Sequence, residues 1–231
     1  MIGTAATPSI EPLITTTPTA ACATFLMLPT EHYLRWDHRD MIARLNLGGG
    51  GWAYYQYDAG KQRTRKVLER NGAVEERIYL GGLEIYRRTL NGSLVEEIET
   101  LHLFDGEQRL LMVDQILETD RPALGQRNLY RYTLSNHLGS STVEVDESAN
   151  IISYEEYHPY GTTAYQSGRN AAEVKLKRYR YTGMERDEES GLSYHGARYY
   201  ALFVGEMDGM RSHQNKLMEQ MCIASSGAIL S

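Results

Sequence analysis

Between residues 52 and 116 the chain carries three Asn-Gly or Asp-Gly pairs, Asn71-Gly72, Asn91-Gly92 and Asp105-Gly106, each set between runs of strand-forming residues. Asn, Asp and Gly tolerate positive φ, so each pair favours a two-residue type I′ hairpin turn. Residues 63–70 and 73–80 flank the first pair, 83–90 and 93–104 the second, and 109–113 follows the third. An aromatic run at 52–57 precedes them. A chain punctuated this way is predicted to fold as an antiparallel hairpin meander, all-β in class. Side chains alternate along a strand, so Val74, Ile78 and Leu80 share one face, and Glu75, Arg77 and Tyr79 the other.

Composition agrees. The 231 residues suit one large β domain or two small ones. Seventeen Tyr against three Phe favour half-buried strand positions, where the ring packs and the hydroxyl reaches a partner. Twenty-one Gly with six Pro match many turns rather than a disordered tract. A net charge of -6 argues against a nucleic-acid or anionic-membrane surface over the whole chain. Cys22 and Cys222 form neither a disulfide framework nor a metal motif; they read as free thiols and leave the redox compartment open. Residues 1–30 contain no Lys or Arg, so no clear signal peptide is visible, and the apolar run 20–28 is too short for a membrane span.

In chain order, residues 1–30 read as a poorly ordered leader, and Leu34 to Trp36 as a strand. The four glycines at 48–51 form a flexible break; a phosphate-cradling loop would need a following Lys-Ser/Thr, and Trp52 begins a strand instead. Residues 129–134 are an aromatic strand with Tyr130 and Tyr132 on one face, and 142–145 and 151–157 form a further hairpin. Residues 171–177 read as a polar link. In the tail, Met207, Met210, Leu217, Met218 and Met221 fall near one helical face. This predicts a helix over 206–221 that covers the open sheet edge or binds a partner.

The stretch 179–200 is dense in aromatics and charge. Tyr179 and Tyr181 are expected on one strand face, with Arg178 and Arg180 on the other, and Gly183 ends that strand. Residues 184–191 carry five charges and read as a solvated acidic turn. The return strand places Tyr194 out of phase with Tyr199 and in phase with Tyr200.

The residues of this stretch are also specific as a motif. Thr182, Gly183, Asp187, Glu188, Gly191, Leu192, Tyr194, Arg198, Tyr199 and Tyr200 together resemble the RHS repeat-associated core of Rhs and YD-repeat proteins and of the C component of insecticidal toxin complexes. Two earlier motifs look like the same core: His137-Leu138-Gly139-Ser140, and Pro159-Tyr160-Gly161. Tyr57 and Asp58 begin one YD-like repeat, in which Lys61 stands where glycine is expected and Gly60 sits one place early. No second clear copy is visible. The resemblance implies a family-motif structural role for these residues, in part of a β-shell that encloses a toxic polypeptide. It implies a larger B-type shell protein of the toxin complex as partner and favours secretion. The likeness stops after Tyr200, ahead of the family's self-cleavage segment and toxin cargo.

Four segments are therefore expected: a leader at 1–30, a YD-repeat-like meander at 31–128, the RHS repeat-associated core at 129–200, and a divergent tail at 201–231. The expected function is a non-catalytic structural fragment of the shell, without cofactor or metal. The alternative is a carbohydrate-binding module for cell-surface glycans, built on Tyr130-Arg131-Tyr132 and on 178–181. The cluster Glu185, Asp187, Glu188 and Glu189 is the best candidate for acid–base work, yet four acids in one turn fit a solvated loop better. The seven His show no ligand spacing, and His137 near Ser135, Ser140 and Ser141 has no defined acid partner.

Overall fold

The computed structural model describes residues 11–12 and 34–202, except 123, 125, 126 and 197. The leader apart from 11–12, both cysteines and the expected helix at 206–221 lie outside the described residues.

The meander is present and extends far. From β2 (Leu34–Trp36) the chain runs through β3 (Ile42–Gly48), β4 (Gly51–Tyr57), β5 (Arg63–Arg70), β6 (Ala73–Leu80) and β7 (Leu83–Leu90). It continues through β8 (Ser93–Asp105), β9 (Gln108–Thr119), β10 (Asn128–Ser135), β11 (Ser141–Val145), β12 (Ile151–Tyr157) and β13 (Thr163–Gly168). Each strand pairs antiparallel with its chain neighbours, and β1 (Glu11–Pro12) adds to the β13 edge, giving a 13-stranded sheet among the described residues. β9 and β10 pair directly, so one sheet runs through both sides of residue 128.

The turn chemistry explains the register. Asn71 and Gly72 have φ of 52° and 76°, and Asn91 and Gly92 have 50° and 85°, the signature of type I′. The third signal works differently. Asp105 stays in β8 and pairs with Gln108, so the central residues are Gly106 and Glu107, with positive φ at Gly106 alone. That is a type II′ arrangement, as is Gly81-Gly82 between Leu80 and Leu83.

A repeat hidden in the sequence emerges from the backbone. At Asp37, Asp58, Asn136, Asp146 and His158, the residue's N–H donates to the carbonyl four positions on, and its own carbonyl accepts from the N–H three positions on. The residue at the third position is left-handed each time: Asp40, Lys61, Gly139, Ala149 and Gly161. In four of the five the opening side chain accepts backbone N–H bonds: Asp37 from Met41, Asp58 from Gln62, Asn136 from Ser140, Asp146 from Asn150. The YD-like turn therefore closes at Lys61 and not at Gly60. The missed copies escape notice because only the backbone angle repeats, while the residue that adopts it varies.

Residues 171–202 fold back over one face of this sheet. They comprise a short helix α1 (Ala171–Lys175), capped by Asn170, whose side chain accepts from the Glu173 N–H. A 3-10 turn (Tyr181–Gly183) follows, then a small sheet of β14 (Glu185–Asp187), β15 (Leu192–Tyr194) and β16 (Tyr199–Ala201). The covered face is the unexpected one. On β6 the face bearing Glu75, Arg77 and Tyr79 turns inward, while Val74 and Leu80 are 38% and 57% exposed. The same inversion holds on β8, where Glu96, Ile98, Thr100 and His102 are buried and Leu101 and Leu103 are open. Two small apolar clusters remain inside: Leu34, Ile42, Leu45, Ala53 and Tyr55 against Leu192, Tyr199 and Ala201, and Tyr86, Ile98, Ile116 and Leu124.

Candidate functional site

The buried face is held by ion pairs. Arg63 on β5 donates through Nη1 to Asp187 Oδ2 at 2.7 Å and through Nη2 to Glu185 Oε2 at 2.6 Å. Lys66, three residues on and brought to the same face by a register shift that leaves Thr64 without a cross-strand partner, reaches Asp187 Oδ1 at 2.7 Å and Glu189 Oε1 at 3.2 Å. Glu185 also accepts from Arg178 at 2.9 Å and from the Tyr79 hydroxyl at 3.1 Å. Arg178 bridges on to Glu84 at 2.7 Å, and Glu84 also meets His102 at 2.8 Å and the Tyr179 hydroxyl. Arg109 lies over the Tyr179 ring, 3.3 Å from its centroid.

A second centre lies near β12. Glu155 accepts from Arg180 at 2.9 Å and Thr163 at 2.7 Å, and pairs with Lys177 at 3.2 Å. Beside it, Arg131 and Ser153 both reach Glu144 at 2.6 Å. Because residues 177–189 contact β5 on one side and β12 on the other, the sheet curls around them.

Burial alone would push these carboxyls up, because a charge loses its water. At Glu185 burial is overcome by Arg63, Arg178 and Lys66, which hold the carboxyl well below the usual range. At Glu84 burial is overcome by Arg178, His102 and Arg77, and at Glu155 by Arg180 and Lys177, again leaving lowered values. Glu189 goes the other way: burial and the neighbouring Asp187 charge outweigh Lys66 and raise it.

These facts correct the reading of 184–191 as a solvated acidic turn. Glu185 is 3% exposed and Asp187 0%. They project toward the sheet from β14, while Glu188 alone points out and pairs with Arg180. Tyr179 and Tyr181 do not share a strand: Tyr179 makes an isolated bridge to Glu185, and Tyr181 starts the 3-10 turn. Nor are Tyr194 and Tyr199 out of phase. A turn separates β15 from β16, so the two residues pair in register with rings 5.3 Å apart.

The structure brings the motif residues together. The Tyr57 hydroxyl lies 2.7 Å from that of Tyr199, and the Tyr194 hydroxyl accepts from the Arg63 N–H at 2.7 Å and donates to the Lys61 carbonyl at 3.2 Å, beside the Asp58 turn. Ser140 is buried and its Oγ accepts from the Thr182 N–H at 2.9 Å; its neighbours His137 and Leu138 are exposed. Tyr181 donates to the Pro159 carbonyl at 2.8 Å, and its ring lies against Gly161. Tyr200 donates to the Tyr160 carbonyl at 3.2 Å. Gly183 is left-handed and its carbonyl accepts from Arg109 at 3.3 Å; Gly139 lies beside this turn. Gly191 turns the chain at positive φ, its N–H donating to Asp187 at 2.7 Å, and Leu192 follows at 1% exposed. Arg198 is exposed and its carbonyl accepts from the His195 N–H at 2.8 Å.

The partners missed in the sequence are Arg63, Lys66, Glu84 and Glu155. In these strands a charged inward face and an apolar outward face cannot be told from the reverse, and Arg63 and Lys66 share the inward face only because the register shifts between them. The tyrosines at 179 and 181, proposed for glycan stacking, are spent on internal contacts with Glu84, His102, Tyr157 and Pro159. Among the described residues no group of three or more His, Cys, Asp or Glu is placed to hold a metal, and no helix is long and apolar enough to cross a membrane.

The comparisons match this antiparallel sheet to components of toxin complexes. The chain is 38% identical over 158 residues to toxin subunit YenC1 of Yersinia entomophaga and 35% identical over 156 residues to toxin subunit YenC2 of the same organism. A crystal structure of TcdB2-TccC3 superposes with a TM-score of 0.68 and 31% identity over 74% of this chain. The chain is homologous to these toxin-complex components, which bears out the resemblance to their RHS repeat-associated core. Each Yersinia match takes in 65% of this chain and 16% of the relative, and the superposition 9% of the solved chain. No family model matches.

Proposed function

We propose that this chain is a non-catalytic, structural piece of an RHS-type toxin-complex shell, in which residues 179–200 clamp the curled sheet from within. The observation that carries this reading is the pairing of the clamp's acids with sheet cations: Asp187 with Arg63 and Lys66, and Glu185 with Arg63. Charges matched so fully are suited to holding a shape. The segments 31–128 and 129–200 are then the wall and its closing core, and the partner is a larger B-type shell subunit.

The test is co-expression of the chain with the B component of a toxin complex, followed by affinity purification and intact mass. The expected result is stable co-purification, with the chain retained at 26.2 kDa after prolonged incubation. Cleavage at a defined bond that is lost in Asp187→Asn or Asp208→Asn would overturn the non-catalytic reading. Failure of a folded chain to co-purify would overturn the partner.

A further inference from the structure

Between β5, β6, α1 and β14 lies an open basin of about 920 Å³. Its walls combine apolar side chains, Leu47, Leu68, Val174 and Leu176, with cations. Most of the lining charge is already matched. Glu76 pairs with Arg65, Glu188 with Arg180 and Glu189 with Lys66; Glu75 accepts from the neutral Tyr86 hydroxyl and so offsets one lining cation. Arg77, Arg121 and Arg178 are committed to Glu84 and Glu96.

Three lining cations are left over. Arg70, Lys175 and Arg186 have no carboxylate within ion-pair distance among the described residues. Arg186 is the most telling. Glu185 and Asp187 on either side of it turn toward the sheet, so its guanidinium points the other way. Its Nε is buried without a hydrogen-bond partner, and its Nη1 has only the Thr163 hydroxyl at 3.5 Å. A guanidinium carries five donors in a fork that matches a carboxylate, and a buried donor left unmade is costly.

We infer that this basin is a docking site for an acidic, amphipathic polypeptide segment, with Arg186 as its central carboxylate anchor and Arg70 and Lys175 at its rim. Charge complementarity selects the acid. The leucine and valine walls select a peptide over a bare oxyanion, because they offer buried contact that a phosphate cannot use. This inference does not depend on the shell reading, since it rests on the unmatched cations and the apolar walls of the basin.

The experiment is fluorescence anisotropy of the 231-residue chain with a fluorescein-labelled peptide of alternating Glu and Leu, against a Lys-Leu peptide of the same length. Saturable binding of the acidic peptide is expected, weakened about tenfold or more by Arg186→Gln and by the Arg70→Gln/Lys175→Gln pair. Circular dichroism melts of each variant establish that the fold is retained, and the exposed rim pair keeps the test open if Arg186→Gln unfolds. Equal binding of the Lys-Leu peptide, or acidic-peptide binding unchanged in folded variants, would overturn the site. Pyrophosphate that binds at lower concentration than the peptide and displaces it would overturn the peptide assignment in favour of a small oxyanion.

Discussion

Arg63 and Asp187, 124 positions apart in the chain, form a 2.7 Å ion pair in which the two side chains are 1% and 0% exposed. A pair so buried is a poor source of net stability relative to an apolar replacement, because both charges have lost their water. Breaking it from one side is another matter. Asp187→Asn leaves Arg63 and Lys66 undercompensated and is expected to cost roughly 3–5 kcal/mol in urea denaturation. Glu188→Gln, whose side chain is 58% exposed, should cost only about 0–1 kcal/mol. Equal effects from the two would show that the clamp is not the energetic centre.

Acid should open the clamp. Glu84, Glu155 and Glu185 have folded values below the ordinary 4.5, so their contribution is complete above that pH and is lost as pH falls through the lowered values. Glu189 is raised and opposes them, gaining stability on protonation. Asp37, Asp120 and Asp146 are lowered as well, so thermal melts should fall steeply below about pH 4.5. A melting temperature that rises on acidification would contradict this balance.

The repeated turn makes a prediction about glycine in both directions. Lys61 and Ala149 hold φ of 61° at the left-handed position where Gly139 and Gly161 also serve. Replacing Lys61 or Ala149 by Gly removes a strain of about 1–2 kcal/mol at an entropic cost of roughly 0.4–1 kcal/mol. A net gain of a few tenths to about 1 kcal/mol is expected from denaturant midpoints. A loss at both positions would mean that the turn does not impose this backbone.

Gly161→Ala should be harsher than Gly139→Ala. A Cβ at 161 would sit 2.5 Å from the Tyr181 ring and 2.7 Å from Leu202, at a φ of +90°, whereas at 139 nothing lies closer than 4.0 Å. The first pays for overpacking as well as backbone strain, about 1–3 kcal/mol beyond the second. Melting both variants side by side decides it.

The inverted burial can be read from two leucines. Leu192 is 1% exposed in the core that joins β16 to β3 and β4, and its replacement by Ala should cost about 2–5 kcal/mol. Leu134 is 56% exposed on the outer face, and its replacement by Ser should stay within about 0.5 kcal/mol. A large loss at Leu134 would place a covered surface there.

Much of the sheet was legible before any coordinates. Asn71-Gly72 and Asn91-Gly92 announce their turns because few residues accept positive φ twice in succession, and that local preference sets the register of β5 to β8. The motif at 179–200 identified the family without revealing what its acids do. Sequence alone thus determined the hairpin meander and the turns at Asn71-Gly72 and Asn91-Gly92, since these follow from local backbone preference and period-two alternation. Tertiary structure decided which face lies inside, because a strand alternating charge with leucine is symmetric until a second layer covers it. It also decided that Glu185 and Asp187 are buried clamps and not a solvated turn. Their charge is tolerated only because Arg63, Lys66 and Arg178, distant in sequence or facing away in a simple strand reading, converge on them in space.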